Sequence, residues 1–322
     1  MVKLIIQIPC KNEEATLPLV VNELPKEIDG IDVIEYQIID DGSTDRTSQV
    51  AKELWVHHII RFIQNRGLWF AFKAGLENAL KHWADILVNT DGDNQYPSKY
   101  IADLVQPILA GTADIVIGNR NPTQVKHFSP LKRFLQGLGN RFVGYAAGMK
   151  LQDSVSGFRA YNRTALLEIN VTSKFSYVVD TIVQAVKKWL KIAWVPITVN
   201  LPTRKSRLFS NLFQHIKKTT VNLTRVYIMY EPFKMWFRAS TPFVLVGLVG
   251  ILRFIYYYLE GDGAGKIQSL IISSLIMQVG ITLFVLGIMA DLIAKNRFLI
   301  EENLKMMKDM KYDPVTRTGQ DK

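Results

Sequence analysis

The chain has 322 residues, 48% of them hydrophobic, with a formal charge of +10 and a pI near 9.5. It is long enough for a large core and more than one structural unit. The single cysteine, Cys10, rules out an intrachain disulfide and suits a reducing compartment. No zinc-type Cys/His cluster or RNA-binding signature accompanies the positive charge. With two long apolar stretches in the last third, the excess points to a membrane surface and not to nucleic acid.

The N-terminus reads as no signal peptide, because Lys3 leads into a short strand-like run with Pro9 and charge directly behind. Lys3 to Ile8 is a β-branched run closed by Pro9, a buried first strand. A helical pattern follows through Leu24, with Leu17, Val20, Val21 and Leu24 apolar, Asn12 as its expected N-cap, and Glu13 and Glu14 in its first turn. Ile34 to Ile39 is the second strand. It ends in Asp40-Asp41-Gly42-Ser43-Thr44-Asp45, where Ser43 or Thr44 is expected to cap a helix through Leu54. Capping accounts for Ser43, Thr44 and Asp45. It accounts poorly for the adjacent carboxylates of Asp40 and Asp41, one of which can accept hydrogen bonds from a nucleotide's base or ribose.

Ile59 to Ile63 reads as a third strand, with Asn65-Arg66-Gly67 opening a helix to about Trp83. The apolar run Ile86 to Val88 is a buried fourth strand that ends in Asp91 and Asp93, with Gln95 and Pro97 beyond. Ligands of open α/β sheets bind past the carboxyl ends of the strands, and two carboxylates one residue apart can hold a hard divalent cation. A solvated acidic turn is the plainer account of an isolated Asp-x-Asp. Glu13, Asp41 and the Asp91/Asp93 pair, however, all end successive strands. Ser98 is expected to cap a helix to Ala110. Ile115 to Ile117 is a fifth strand, ending in Gly118-Asn119-Arg120. Strands alternating with helices at this spacing imply an α/β fold with a mostly parallel sheet flanked by helices.

Downstream, Pro130 to Arg141 is basic and helix-like, and Arg120, Lys132 and Arg133 can form an anion site beside the cation. Asp153 to Arg159 contains Gly157, which permits close backbone approach. Trp194 to Leu201 is strand-like, and Thr203-Arg204-Lys205-Ser206-Arg207 is a basic loop able to cover a diphosphate.

Taken in order, Ile8-Pro9-x-x-Asn12-Glu13, Asp40 to Asp45, Asp91-Gly92-Asp93-x-Gln95, Gly118-x-Arg120, Ser156-Gly157-Phe158 and the basic Ser-Arg loop resemble inverting glycosyltransferases of family 2. Within that family they resemble the polyprenyl-phosphate glycosyltransferases of the dolichol-phosphate mannose synthase group, over roughly residues 1–208. The resemblance implies a GT-A-type, Rossmann-like fold. It implies that Pro9, Lys11, Glu13, Ile39 and Asp41 line the nucleotide, and that Asp91, Asp93 and Gln95 hold Mg²⁺ or Mn²⁺ with the donor diphosphate. Arg120 and Arg133 would bind the acceptor phosphate, and Arg204, Ser206 and Arg207 would form a loop over the donor. Homo-oligomers, tetramers among them, are also implied.

The expected organisation is a catalytic domain over 1–207, interfacial amphipathic helices over 208–238, two membrane spans within 239–294 and a tail over 295–322. The candidate spans are Thr241 to Leu259 and Ile267 to Ile293, each long enough for a bilayer core of ~30 Å. Trp236, Phe237 and Arg238 read as an interface anchor. Lys295, Arg297, Lys305, Lys308 and Lys311 follow the second span, so the positive-inside rule puts the catalytic domain and both termini in the cytoplasm. Three functions are open at this level. One is sugar transfer from a nucleotide-sugar to a polyprenyl phosphate. A second is transfer to a saccharide hydroxyl with Asp153 as base, and the third is non-catalytic nucleotide-sugar binding at a membrane.

Overall fold

Among the described residues, seven strands form one sheet in the order β3-β2-β1-β4-β6-β5-β7. They are β1 (Lys3–Cys10), β2 (Val33–Asp40), β3 (His58–Arg61), β4 (Ile86–Asn89), β5 (Ile115–Asn119), β6 (Arg159–Asn162) and β7 (Ile192–Pro196). All pairings are parallel except those of β6, which runs antiparallel between β4 and β5. The computed structural model describes residues 1–121, 137, 139–141, 143–145, 148–149, 151–170, 177–200, 221, 224–225 and 227–312. They fall into two units, Met1–Asn222 with Glu302–Lys322, and Leu223–Glu301.

In the first unit, β1 is buried along nearly its whole length, as an apolar run flanked by parallel neighbours should be. Leu4, Ile6 and Ile8 face one apolar cluster, built with α1 (Leu17–Glu23), α2 (Thr47–Glu53) and α4 (Tyr100–Leu109). Ile5 faces the other, with Phe72 and Leu76 of α3 (Leu68–Lys81), α5 (Arg163–Glu168) and α6 (Tyr177–Lys187). This is the period-two alternation of a sheet covered on both faces. Strand β6 has no apolar run to announce it. It opens with Arg159, whose side chain is completely buried.

Several helix starts lie later than expected. α1 begins at Leu17 after Thr16, so Asn12 is not its cap. Asn12 instead adopts φ +53° and accepts the Thr44 N–H at 2.8 Å. α2 begins at Thr47, with Asp45 accepting its N–H at 3.0 Å, so neither Ser43 nor Thr44 caps it. The helix expected from Ser98 starts at Tyr100. The third strand stops at Arg61, leaving Ile63 fully exposed.

The second unit is a pair of long helices, α7 (Pro232–Leu259) and α8 (Ile267–Tyr312), the latter continuing beyond this unit. Pro232 opens α7, where a missing N–H costs nothing. The helices run antiparallel in close contact. A Cβ on Gly247 would lie 2.6 Å from Met277 Cβ, and one on Gly287 would lie 2.8 Å from Trp236 Cβ. Both are long and apolar enough to cross a membrane, with mean hydropathies of 1.8 and 2.2 over their most apolar 18 residues. Large apolar side chains such as Val249, Ile272 and Leu275 face outward. Arg253 lies over the Tyr257 ring, 5.7 Å from its centroid, toward the C-terminal end of α7. Most of the stretch expected as amphipathic helices lies outside the described residues; 221, 224–225 and 227–230 are helical.

The boundary expected at residue 294, between the second span and the tail, falls within a continuous helix. Helix α8 runs on to Tyr312 through a sequence without Gly or Pro, supported by Lys295–Asp291 and Arg297–Glu301 pairs one turn apart. From Glu302 onward it belongs to the first unit. There Lys305 pairs with Glu168, and Lys308 Nζ donates to the carbonyls of Leu167 at 3.2 Å and Ile169 at 2.9 Å. These carbonyls lie at the C-terminal end of α5, where a cation is favoured. Arg163 Nη2 donates to the Tyr312 carbonyl at 2.6 Å.

Burial, and then the nearby Lys188, lower Lys308 from 10.5 to about 8. The folded state therefore binds fewer protons than the unfolded chain between those values, and stability rises with pH across that window. Lys308→Met should remove this rise. The difference in Tm between wild type and variant, measured calorimetrically in detergent, should grow in favour of the wild type from about pH 8 to about pH 10. A constant difference would show that Lys308 titrates like a surface lysine.

Candidate active site

The carboxyl ends of β1, β2, β4 and β5 supply the site, and their loops are laced together before any ligand is considered. Asn12 N–H donates to Ser43 Oγ at 2.9 Å, Glu13 N–H to Thr47 Oγ1 at 2.9 Å, and Arg46 N–H to Glu14 Oε2 at 2.9 Å. The two adjacent carboxylates after β2 do not compete, because successive strand residues face opposite ways. Asp40, fully buried, accepts the Ser43 N–H at 2.8 Å and the Ser48 hydroxyl. Asp41 accepts the backbone N–H groups of Arg66 at 2.7 Å and Gly67 at 2.9 Å. Gly42, at φ +67°, makes this possible. A Cβ there would lie 2.5 Å from the backbone of Gln64.

After β4, Asp91 and Asp93 enclose Gly92, which packs on Cys10; a Cβ would meet its Sγ at 2.9 Å. Gln95 N–H donates to Asp93 Oδ1 at 3.2 Å, and Asn200 holds the same loop by donating to the carbonyls of Gln95 and Asn94, each at 2.9 Å. The Thr16 hydroxyl lies 2.8 Å from Glu13 Oε2 and 2.9 Å from the Gly92 carbonyl, joining the Glu13 loop to the aspartates. Burial, then Asp93, push the Asp91 carboxyl up to about 7, with Arg120 opposing and Glu13 adding to the rise. The cluster is therefore rich in negative charge and suited to a cation. Among the described residues, no group of three or more His, Cys, Asp or Glu side chains forms a cation cage. Burial, then Glu13, raise the Cys10 thiol well above its usual range, so it supplies no thiolate.

Beside Asp91 stands Arg120, at the end of β5. Its Nε and Nη2 donate to the two oxygens of Asp153 at 2.7 and 2.9 Å. Burial alone would lower the guanidinium, but Tyr96, Asp153 and Asp91 outweigh it and hold Arg120 charged. Gly157 passes close to Asp91, where a Cβ would lie 3.3 Å from the Tyr177 hydroxyl and 3.5 Å from Asp91 Oδ1. Tyr96 stacks on Phe158, with ring centroids 5.1 Å apart.

Of the residues marked from sequence, Glu13, Asp41, Asp91, Asp93, Gln95 and Arg120 are carried by loops at one edge of the sheet, near Pro9 at the end of β1 and the exposed Lys11. Ile39 is fully buried under Gly75 of α3 and offers a base no side-chain surface. Arg133, Arg204, Ser206 and Arg207 lie outside the described residues. Sequence reasoning missed Asn89, Tyr96, Arg159 and Tyr177, which shape the site from beneath. Asn89, Tyr96 and Arg159 were signalled only by position, at a strand end or within a stretch already marked, and Tyr177, at the start of α6, by nothing.

The profile of glycosyl transferase family 2 matches residues 5–169. The chain is 32% identical over 212 residues to the UDP-N-acetylglucosamine–dolichyl-phosphate N-acetylglucosaminyltransferase of Methanococcus voltae, covering 59% of this chain and 82% of that protein. It is 29% identical over 205 residues to the polyprenol monophosphomannose synthase of Mycolicibacterium smegmatis, covering 60% and 76%. Among solved structures, the glucosyl-3-phosphoglycerate synthase of Mycobacterium tuberculosis, in complex with Mn²⁺, UDP and phosphoglyceric acid, superposes with a TM-score of 0.54 at 19% identity, over 70% of this chain and 77% of that one. That likeness is one of fold, a GT-A-like mixed sheet flanked by helices. The order of the motifs, the sheet that presents them and the profile agree, and the chain belongs to glycosyl transferase family 2.

Proposed function

We propose that this protein transfers a glycosyl group, with inversion, from a nucleotide-sugar to the phosphate of a membrane polyprenyl phosphate. The observation that carries this is the pairing of the carboxylates Asp91 and Asp93 with a partly buried, charged Arg120 beside them. One half suits a metal-bound diphosphate, the other a phosphate nucleophile. The names of the two relatives, both transferases to lipid-linked phosphates, support the same reading.

Asp91 and Asp93, with Gln95 beyond, would hold Mg²⁺ or Mn²⁺, which when bound offsets charge on the departing diphosphate. The loops of Glu13 and Asp41 hold the nucleotide. Arg120, together with Arg133 as the resemblance implies, orients the acceptor phosphate on the opposite side of the sugar. A phosphate oxygen forms the new bond to the anomeric carbon as the bond to the nucleoside diphosphate breaks, and the electron pair leaves with the diphosphate. A phosphate monoester has its second pKa near ~6, so it attacks as a dianion and needs no strong base. Two apolar helices give the protein a bilayer anchor, which keeps it on the membrane that holds the acceptor. The basic residues that follow the apolar part of α8 favour a cytoplasmic catalytic unit and termini.

Purified protein in detergent should transfer label from a UDP- or GDP-sugar to undecaprenyl or dolichyl phosphate, and not to an oligosaccharide. Asp91→Ala or Asp93→Ala should lower transfer at least ~100-fold without loss of folding, as should chelation by EDTA. Undiminished turnover by Asp91→Ala would refute the role given to it. Asp41→Asn, which alters the side chain that accepts two backbone N–H groups, should cost about 1–3 kcal/mol in denaturant unfolding. It should also weaken UDP or GDP binding in calorimetric titration.

A further inference from the structure

We infer that Asp153 is the positioning residue for Arg120, fixing the guanidinium for the acceptor phosphate, and that it accepts no proton in the reaction. The inference rests on the reaction proposed above. It starts from an inventory of the carboxylate's lone pairs. Asp153 Oδ2 accepts from Arg120 Nε at 2.7 Å and from the Arg120 backbone N–H at 3.3 Å. Oδ1 accepts from Arg120 Nη2 at 2.9 Å and from the Val155 N–H at 3.1 Å. An ionised carboxylate has about four acceptor sites, and donors occupy all of them. The side chain is 0% exposed. Nothing is left to take a proton from an incoming hydroxyl. That removes the observation on which a saccharide-hydroxyl acceptor would depend.

The fork geometry also fixes what Arg120 can do. Two parallel N–H···O bonds define the plane of a guanidinium as well as its position. Asp153 takes the Nε and one Nη2 proton. Nη1 makes no hydrogen bond among the described residues, so its N–H groups remain for a phosphate. The Asp153 backbone is itself anchored. Asn140 Nδ2 donates to the Gln152 carbonyl at 3.0 Å, and Asn140 Oδ1 accepts from the Ser154 N–H at 3.1 Å and its hydroxyl at 2.6 Å. Asn119 Nδ2, next to Arg120, donates to Gln152 Oε1 at 2.8 Å. The carboxylate is thus held from two sides while it aims the guanidinium. An asparagine would turn an amide N–H toward a cation and release it.

The test uses the full-length protein in detergent, with farnesyl phosphate as acceptor probe and UDP or GDP with Mn²⁺ as donor probes. Asp153→Asn should weaken farnesyl phosphate binding roughly 10- to 100-fold, the loss expected for charge-assisted hydrogen bonds. Donor binding should stay within about twofold, the additivity expected of independent sites. Arg120→Gln and the double variant Arg120→Gln/Asp153→Asn should bind farnesyl phosphate equally weakly, because Asp153 acts only through Arg120. If Asp153→Asn binds farnesyl phosphate like wild type while kcat falls, the inference is overturned. A double variant far worse than Arg120→Gln would overturn it too.

Should Asp153→Asn not fold, Asp153→Glu keeps the charge but displaces the guanidinium. It should raise the KM for farnesyl phosphate with kcat largely retained at saturation, and an unchanged KM would overturn the inference. A wild-type protein that binds the donor but ignores farnesyl phosphate would overturn the proposed reaction itself.

Discussion

A row of buried polar side chains crosses the sheet directly beneath the site. Gln37 of β2, Gln7 of β1, Asn89 of β4 and Arg159 of β6 stand in register on neighbouring strands. All four are completely buried. Gln37 Nε2 donates to Gln7 Oε1 at 3.0 Å, Gln7 Nε2 to Asn89 Oδ1 at 2.7 Å, and Asn89 Nδ2 to the Gly157 carbonyl at 2.8 Å. Helix α3 closes one end, with Asn78 Nδ2 donating to Gln37 Oε1 at 2.9 Å. Arg159 closes the other, donating to the carbonyls of Ser156 and Val178, each at 2.8 Å. A buried amide without a partner costs about 1–3 kcal/mol, so a slip of any strand would strand several at once. The loops that carry Asp91 and Gly157 inherit their position from this row.

Above the row the site separates two charge problems. On one side, Asp91, Asp93 and Glu13 concentrate negative charge where burial makes it costly, and the carboxyl of Asp91 is driven up accordingly. On the other, the fully occupied carboxylate of Asp153 holds the charged Arg120 through Nε and Nη2. The two sides are linked by the electrostatic influence of Arg120 and Asp91 on each other. The arrangement is polarised before substrate arrives, as the proposed reaction requires of a face for a cation and a leaving diphosphate opposite one for an incoming phosphate. Electrostatic preorganisation of this kind acts without reorganising the protein during reaction.

The C-terminal helix gives a second example of one element serving two environments. Through Glu301 it is part of an apolar pair whose small residues permit close packing and whose large ones face outward. From Glu302 it becomes a component of the catalytic unit, with Lys305 and Lys308 bound to the end of α5. The lysines that a charge count assigns to a solvated tail are consumed by helix capping and ion pairing.

Much of the architecture was legible from the chain alone. Apolar runs separated by helical periods announced β1, β2, β4 and β5, because buried parallel strands must be apolar on both faces. The carboxylates at Asp91 and Asp93 and the two apolar helices were equally plain, since each is a local pattern whose chemistry does not depend on a distant partner. What sequence could not show was where polar groups find their partners. Asp40 and Asp41 looked like a repelling pair until alternation sent one to Ser43 and Ser48 and the other to Arg66 and Gly67. Strand β6 stayed hidden because its leading residue is an arginine, satisfied by a carbonyl and a hydroxyl some 20 residues away. Asp153 could pass for a base until Arg120, 33 positions earlier, was found to occupy it. Hydrophobic periodicity is a property of neighbours along the chain, and it determined the layers. Hydrogen bonding between buried polar groups is a property of neighbours in space, and only the tertiary structure decided it.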